Sequence, residues 1–453
     1  MLRLPVIYLE PPLGAVGFPG GVVSRDFVNM LNKESVDRIN LFWKWSSELK
    51  GKVSNKLRAL YPDIEFAEYS VKYVEDLRDV LEREKEAIGY LVFNLQSSGD
   101  LIRQLTNAGK PMIVISEALG GGADVLLSHG GYSMSVSETE YLHFASPLDN
   151  YPILMFSSRQ VDSEDLLSRV RYFKVLDMLR NTHALIVIPK GKAIWDIINS
   201  VSSVTGIKFS VIYGQDFVDK YYSKVTDDEA KPIAEKWIKE ASQFPESDKQ
   251  YNEVLKSARL YIAMNRALED YKANAISIDC LGLRLINKVV LDAWPCLGYM
   301  QLWLDGKYVP MCEADIQSLV VALISKYLLN EAASATDPVI DELTNEVIYY
   351  HCYLPINPLP NLRLKYSIIP AHAGTRYAAV NVEYPVGQEI TAVGIDFNTK
   401  TMYIHTAAIT GNELSLMACG TKVIAKGNVQ ALKSKWGGGW HRVVVLGNHK
   451  QEF

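Results

Sequence analysis

The chain has 453 residues, of which 48% are hydrophobic and 22% charged, and its formal net charge is −5. Its length exceeds one hydrophobic core, so we expect two or three domains. The composition is typical of a soluble globular protein and excludes a disordered one. The absence of a Lys/Arg-rich block predicts no nucleic-acid partner. No apolar run is long enough to span a bilayer, so we expect no membrane partner.

The N-terminus and the cysteines indicate an intracellular protein. Residues 1–5 read as the start of a strand and lack the regions of a signal peptide, so we expect a cytoplasmic location. The cysteines are odd in number and form no C-x-x-C pair, which argues against a disulfide framework. They are Cys280, Cys296, Cys312, Cys352 and Cys419.

The first third of the chain reads as alternating strands and helices. Residues 87–95 and 111–115 are apolar strands, and residues 97–109 form an amphipathic helix between them. Such a unit predicts two parallel neighbouring strands. A helix is also predicted over residues 70–85, and a long helical stretch over residues 163–180.

A second unit of the same kind follows. Strands are predicted at 182–188 and 208–213, with a helix over 192–204 that Gly206 ends. Two charged, amphipathic helices are predicted next, over 227–241 and about 247–272. From Tyr377 onward, short β-rich runs alternate with turn residues, which is typical of an antiparallel sandwich or barrel. The expected fold class is therefore α/β, with two α/β layers in tandem and a β-rich end.

Two glycine clusters do not carry a nucleotide fingerprint. Residues 14–21 lack the dinucleotide-binding spacing, and residues 120–122 have no adjoining Lys-Ser/Thr pair. The second cluster follows a strand, so it is either a simple turn or a flexible loop beside an active site. A nucleotide-dependent enzyme is not expected.

The segment Cys312-Glu313-Ala314-Asp315 joins an extended stretch to a long apolar helix. In an extended chain Glu313 and Asp315 share a face, so they could hold a divalent metal or perform acid/base chemistry. The alternative is that one acid only caps the helix, which begins at Ile316.

Three histidines are candidates for a ligand site. His351 ends an apolar strand, His372 lies in a turn-like setting, and His441 follows the run Gly437-Gly438-Gly439-Trp440. A single histidine is more often structural than a ligand. A histidine behind a glycine run is the stronger candidate, because glycines let the backbone approach a ligand.

Several of these segments occur in an order that resembles the L-fucose isomerase-like sugar isomerases, a group related to the L-fucose and L-arabinose isomerases. The resemblance covers the chain from about Ala275 to its end. The segments are Pro295-Cys296-Leu297, Cys312-Glu313-Ala314-Asp315, Asp337-Pro338-Val339-Ile340-Asp341, His351-Cys352, His372, Cys419-Gly420-Thr421-Lys422 and His441-Arg442-Val443-Val444-Val445.

The resemblance implies an architecture of three domains. Two Rossmann-like parallel-sheet domains, residues 1–165 and 166–308, would precede a β-rich domain of residues 309–453 that carries most of the site. It also implies a homo-oligomer, either a trimer or a hexamer.

The resemblance further implies a metal-dependent aldose–ketose isomerase that acts on a free sugar, a pentose or hexose, through an enediol. The metal would be manganese, with magnesium or cobalt as alternatives, held by Glu313 and Asp315 together with His441. These two acids would also serve in catalysis. His351, His372 and Trp440 would bind the sugar.

The isomerases supply a further acid before the segment that corresponds to Cys312-Glu313-Ala314-Asp315. In this chain neither acid available for that role lies in their motif. Asp292 and Asp279 are the two alternatives for it, with Asp292 the nearer in spacing. This departure leaves open a non-catalytic sugar-binding or regulatory protein on the same scaffold. An epimerase or aldolase that uses the same enediolate chemistry is the third alternative.

Overall fold

The structure is a computed structural model whose chain divides into two compact units, Met1–Asp177 and Met178–Phe453. It describes residues 1–10, 33–95, 99–117, 143–145, 152–245, 247–286, 290–371, 376–413 and 418–453. The glycine clusters at 14–21 and 120–122, as well as His372, lie outside the described residues.

The first unit is built on a six-stranded sheet in the order β2-β1-β3-β4-β6-β5, in which only β5 is antiparallel to its neighbour. Its strands are β1 (Leu2–Leu9), β2 (Ile64–Val71), β3 (Tyr90–Asn94), β4 (Met112–Glu117), β5 (His143–Ala145) and β6 (Pro152–Ser158). Its helices are α1 (Lys33–Leu60), α2 (Val74–Arg83), α3 (Gly99–Thr106), α4 (Glu164–Ser168) and α5 (Arg171–Arg180), of which α5 runs across the unit boundary.

Apolar side chains cover both faces of this sheet, as the continuous apolar strands predict. Leu4 and Val6 pack on one face with Leu57 of α1, whereas Ile7 and Leu9 pack on the other.

The second unit begins with a four-stranded parallel sheet in the order β10-β9-β7-β8. Its strands are β7 (His183–Ile188), β8 (Lys208–Tyr213), β9 (Ala275–Ile278) and β10 (Val309–Cys312). The helices of this part are α6 (Trp195–Thr205), α7 (Gly214–Lys220), α8 (Asp227–Glu240), α9 (Asp248–Tyr271), α10 (Cys296–Asp305) and α11 (Ile316–Leu329).

Local signals set several of these helix ends. Thr226 and Glu229 form a capping box at the start of α8, and the Ser247 side chain accepts a hydrogen bond at the start of α9. Gly206 ends α6 at φ 75° and Asn330 ends α11 at φ 57°, both left-handed conformations that these residue types tolerate.

The rest of the second unit is antiparallel. A closed barrel has the strand order β11-β12-β17-β16-β15-β18, and β13 and β14 form a separate two-stranded antiparallel sheet. The strands are β11 (Ser334–Asp341), β12 (Glu346–His351), β13 (Tyr366–Ala371), β14 (Arg376–Val382), β15 (Glu389–Asp396), β16 (Thr401–Asn412), β17 (Thr421–Lys426) and β18 (Arg442–Leu446), with helix α12 (Val429–Ser434) before the last.

The fold expectation is confirmed at the level of two parallel sheets followed by an antiparallel barrel, and β3 and β4 are parallel neighbours. Two helix predictions are confirmed with different bounds. Residues 64–71 form a strand, so the helix predicted over 70–85 is limited to 74–83. The helical stretch predicted over 163–180 is divided into two helices, α4 and α5.

The β-rich region begins earlier than Tyr377, because the barrel strands β11 and β12 precede it. Residues 309–312, placed at the start of the C-terminal domain by the sequence, form the edge strand of the second parallel sheet. Among the described residues, no helix is both long and apolar enough to cross a membrane.

Candidate metal centre and its pocket

A pocket of about 620 Å³ lies at the carboxyl ends of the second parallel sheet. Lys192 lies in the loop after β7, Asp279 directly follows β9, and Glu313 directly follows β10. All three line the pocket together with Trp440 and His441. Ligands of open α/β sheets bind at this edge, because the loops after parallel strands meet there.

Glu313 reaches the pocket through an unusual turn. Glu313 and Ala314 have φ values of 63° and 51°, the left-handed region that residues other than glycine seldom adopt. The expectation that the strand continues and that Glu313 and Asp315 share one face is therefore wrong. After the turn the two acids approach opposite nitrogen atoms of the His441 ring, Glu313 the Nε2 atom and Asp315 the Nδ1 atom.

Two barrel histidines approach the Glu313 carboxylate. His351 is the last residue of β12 and His441 directly precedes β18; they are 1% and 4% exposed. The Nε2 atom of His351 lies 3.6 Å from Glu313 Oε1, and the Nε2 atom of His441 lies 3.6 Å from Glu313 Oε2. The two imidazole rings are 5.7 Å apart, at an angle of 75°.

The spacing of these three side chains fits a metal ion. One donor atom from each of Glu313, His351 and His441 lies within 4.8 Å of the others. Two donors that each lie about 2.1 Å from one ion are separated by about 3 to 4 Å, which matches the separations of 3.6 Å. One carboxylate and two imidazoles are donors that suit manganese, zinc or iron.

Buried nitrogen atoms without partners support the same interpretation. Among the described residues, both ring nitrogens of His351 and the Nε2 atom of His441 are buried without a hydrogen bond. A buried polar atom without a partner costs about 1–3 kcal/mol. A ligand bound between the two rings would remove this cost.

Asp315 binds the Nδ1 atom of His441, on the side of the ring opposite the Nε2 atom that approaches Glu313. Its Oδ2 atom accepts hydrogen bonds from His441 Nδ1 at 2.7 Å and from the Ser318 hydroxyl at 2.6 Å, and its Oδ1 atom accepts one from Ser318 N at 3.0 Å. The helix-cap interpretation of Asp315 is thereby confirmed. The Asp315 carboxylate points its oxygens at Ser318 and His441, so it orients a candidate ligand and leaves the Nε2 atom of His441 facing Glu313.

The carboxylates also determine the charge of His441. Burial lowers the pKa of His441, but the hydrogen bond with Asp315 and the nearby carboxylates of Asp337 and Glu313 outweigh it and raise that pKa to about 10. Burial raises the pKa of Asp315, but its bond with His441 lowers it below the ordinary value. Asp337 contributes through its Oδ1 atom, 3.4 Å from His441 Nε2.

The buried Arg442 fixes the glycine loop that precedes His441. Its guanidinium donates to the carbonyl oxygens of His441 and Gly437, each at 2.8 Å. The same group lies 3.7 Å from the centre of the Trp436 ring. The planar fork of an arginine suits this combination of stacking and two backbone acceptors.

On the opposite wall of the pocket, Lys192 and Asp279 form an ion pair. The Lys192 Nζ atom donates to Asp279 Oδ2 at 2.8 Å and to the Glu313 carbonyl oxygen at 3.4 Å. The backbone N–H of Gly282 donates to Asp279 Oδ1 at 2.9 Å. Asp279 is thus the acid, of the two alternatives, that the fold brings to the pocket.

The remaining sequence candidates are divided between the pocket and other places. Trp440 lines the pocket and is 73% exposed. Asp292 does not line it: it accepts a hydrogen bond from Tyr222 at 2.8 Å and pairs with Lys256 at 3.3 Å. Lys192 was missed, because a lysine in a loop after a strand carries no signal in the sequence.

Comparisons with known proteins add little. No family model and no curated protein matches the chain. Solved structures that match include the XylFII molecule (9% identity, TM-score 0.15, covering 74% of this chain and 88% of that chain). Others are the XylFII–LytSN complex (9%, 0.15, 74% and 87%) and GanP, a glucose-galactose binding protein from Geobacillus stearothermophilus (10%, 0.16, 74% and 85%). At these TM-scores the likenesses carry no argument about fold or function.

Proposed function

We propose that the protein is a metal-dependent aldose–ketose isomerase that acts on a free pentose or hexose, as its resemblance to the L-fucose isomerase-like group implies. The observation that carries the proposal is the cluster of Glu313, His351 and His441, of which Glu313 and His441 line a pocket of about 620 Å³. A cavity of this size suits a small ligand such as a monosaccharide.

Glu313, His351 and His441 would hold the divalent metal, with manganese as the first choice. When bound, the metal would polarise the sugar oxygens at C1 and C2. Asp315 keeps the His441 ring oriented through the Nδ1 hydrogen bond of 2.7 Å. Trp440 offers an exposed aromatic face on which the apolar side of a sugar ring can pack.

Asp279 is the carboxylate proposed to move the proton. It accepts the proton from C2, the electron pair of that bond forms the C1=C2 bond, and the π pair of C1=O moves to O1, which takes a proton from solvent to give the enediol. The proton on O2 then passes to solvent, the electron pair of that bond forms C2=O, and the C1=C2 pair takes the proton back from Asp279 at C1. A carboxylate offers about four lone pairs, so Asp279 retains acceptor capacity beside its bonds to Lys192 and Gly282.

One observation favours a second candidate, a sugar-binding protein without turnover. Both carboxylate oxygens of Asp279 already accept hydrogen bonds from the protein, which leaves fewer of its lone pairs for a proton of the sugar. Thermal stabilisation by a sugar in the presence of manganese, without any product, would support this alternative. An epimer or a cleavage product would instead indicate the epimerase or aldolase.

The test incubates the protein and Mn²⁺ with a panel of aldopentoses, aldohexoses and 6-deoxyaldoses, and detects ketoses by carbon NMR. Asp279→Asn is expected to remove turnover. Asp292→Asn is the matched control, because it is the same change outside the pocket, and it is expected to leave turnover unchanged. Absence of any ketose while Mn²⁺ is bound would contradict the proposal.

A homo-oligomer, a trimer or a hexamer, belongs to the same proposal, because the resemblance implies it. Sedimentation of the protein with Mn²⁺ would measure the oligomeric state directly. A monomer at all concentrations would contradict this part alone.

A further inference from the structure

The ammonium group of Lys192 joins three loops at the edge of the sheet. Lys192 itself belongs to the loop after β7, and its Nζ atom bonds Asp279 after β9 at 2.8 Å. The same atom lies 3.4 Å from the carbonyl oxygen of Glu313 after β10. One side chain thus connects the proposed base with the backbone of a proposed metal ligand.

The backbone at Glu313 has an unfavourable conformation, so the hydrogen bond from Lys192 to its carbonyl oxygen matters there. Two successive residues other than glycine, Glu313 and Ala314, have positive φ values of 63° and 51°. Each such residue is strained relative to its ordinary conformation, because its Cβ atom approaches the following carbonyl oxygen. A hydrogen bond from Asp315 N to the Cys312 carbonyl at 3.1 Å closes the turn, and Lys192 donates to the carbonyl inside it.

The Asp279 carboxylate is also held by the protein, through a contact at each of its oxygens. Gly282 donates its backbone N–H to Oδ1 of the carboxylate at 2.9 Å. A Cβ atom at Gly282 would lie 2.3 Å from Asp279 Oδ2, so the close approach of this loop requires glycine. The Asp279 carboxylate is therefore fixed on one side by Gly282 and on the other by Lys192.

We propose that Lys192 is a positioning residue of the metal centre: it stabilises the left-handed turn that aims Glu313 at His351 and His441, and it fixes Asp279 across the pocket. The inference rests on the proposed metal site. It assigns no contact between Lys192 and the sugar.

The sign of the effect on metal affinity distinguishes positioning from simple electrostatics. A cation in the pocket repels a divalent metal, so its removal alone should tighten binding. Loss of a group that orients a ligand instead weakens binding by roughly 10- to 100-fold. We therefore expect Lys192→Met to lower the affinity for Mn²⁺ by roughly 10- to 100-fold, measured by calorimetric titration and by the EPR signal of unbound Mn²⁺.

Lys190 provides the matched control. It lies two residues earlier in the same loop, lines the same pocket and is exposed. Lys190→Met removes the same charge, and we expect it to leave the affinity for Mn²⁺ unchanged or to tighten it. Lys192→Arg retains a cationic donor and should bind Mn²⁺ within about threefold of the wild-type protein.

A rescue variant tests whether the effect passes through the turn. Ala314→Gly removes the cost of one left-handed residue. Added to Lys192→Met, it should recover at least about threefold of the lost affinity, and double-mutant analysis measures the coupling. Circular dichroism checks folding; if Lys192→Met does not fold, Lys192→Gln replaces it in the same series.

The outcomes separate this inference from the proposed function. A folded Lys192→Met protein that binds Mn²⁺ as tightly as the wild type, or more tightly, overturns the positioning role. Equal losses in Lys190→Met and Lys192→Met overturn it as well. If the wild-type protein binds no Mn²⁺, the proposed function fails first.

Discussion

Asp315 performs two tasks that substitution can separate. It caps α11 through Ser318 N at 3.0 Å and holds His441 Nδ1 at 2.7 Å. Asp315→Ser retains a good helix cap but is too short to reach His441, whereas Asp315→Ala loses both. The two variants should therefore share a defect in metal binding and differ in stability.

The expected magnitudes follow from these contacts. Loss of the cap costs about 1 kcal/mol. Leaving His441 Nδ1 buried without its acceptor costs about 1–3 kcal/mol. Asp315→Ala should thus lose about 2–4 kcal/mol of unfolding free energy and Asp315→Ser about 1–3 kcal/mol. Both should weaken Mn²⁺ binding by roughly 10- to 100-fold, because the orientation of His441 is lost.

Urea unfolding without metal measures the stabilities, and calorimetric titration measures the affinity for Mn²⁺. Wild-type Mn²⁺ affinity in Asp315→Ser would refute the orienting role of Asp315. Equal stabilities of the serine and alanine variants would refute the contribution of the cap.

Two further predictions concern the exposed side chain of Trp440 and the ion pair between Glu331 and His449. Trp440→Ala should raise KM for the sugar by roughly 3- to 10-fold and leave Mn²⁺ affinity unchanged, because the side chain is exposed and only packs on the sugar; a loss of Mn²⁺ binding would contradict this. The Glu331 carboxylate lies 3.1 Å from His449 Nε2 and raises the pKa of His449 above 6.5. The pair therefore stabilises the fold below about pH 6.5, and this stabilisation is lost as the pH rises through the raised pKa. Glu331→Gln should accordingly lower the free energy of unfolding in urea at about pH 5.5 and much less at about pH 9. Glu342→Gln is the control: it removes an exposed partner of Lys433 and should have little effect at either pH. An equal loss of unfolding free energy at both pH values would exclude the ion pair as its cause.

Much of the fold follows from local pattern. The strand Lys208–Tyr213 and the ends of α8 and α9 agree with the sequence prediction to within one residue, because caps, turn residues and apolar periodicity coincide there. The helix predicted over 70–85 is present, but its predicted start at residues 70 and 71 belongs to the preceding strand. Residues 64–71 alternate in burial only in part, and their parallel pairing with β1 determines the strand.

The candidate site was predictable in its residue types and less so in its geometry. Glu313 and His441 stood out because one follows a strand and the other follows three glycines. The left-handed turn at Glu313 and Ala314 has no signal in the sequence, since neither residue is a glycine. Only tertiary structure joins His351 to His441 and selects Asp279 over Asp292 for the pocket.

The proposed metal centre is tested most directly by pulsed EPR of Mn²⁺ bound to the protein. We expect one Mn²⁺ per chain, coupled to two imidazole nitrogens. His351→Ala and His441→Ala should each remove one of these couplings and weaken binding, while His183→Ala, at the start of β7, should remove neither. Bound Mn²⁺ without imidazole coupling, or with couplings that survive both substitutions, would contradict the account.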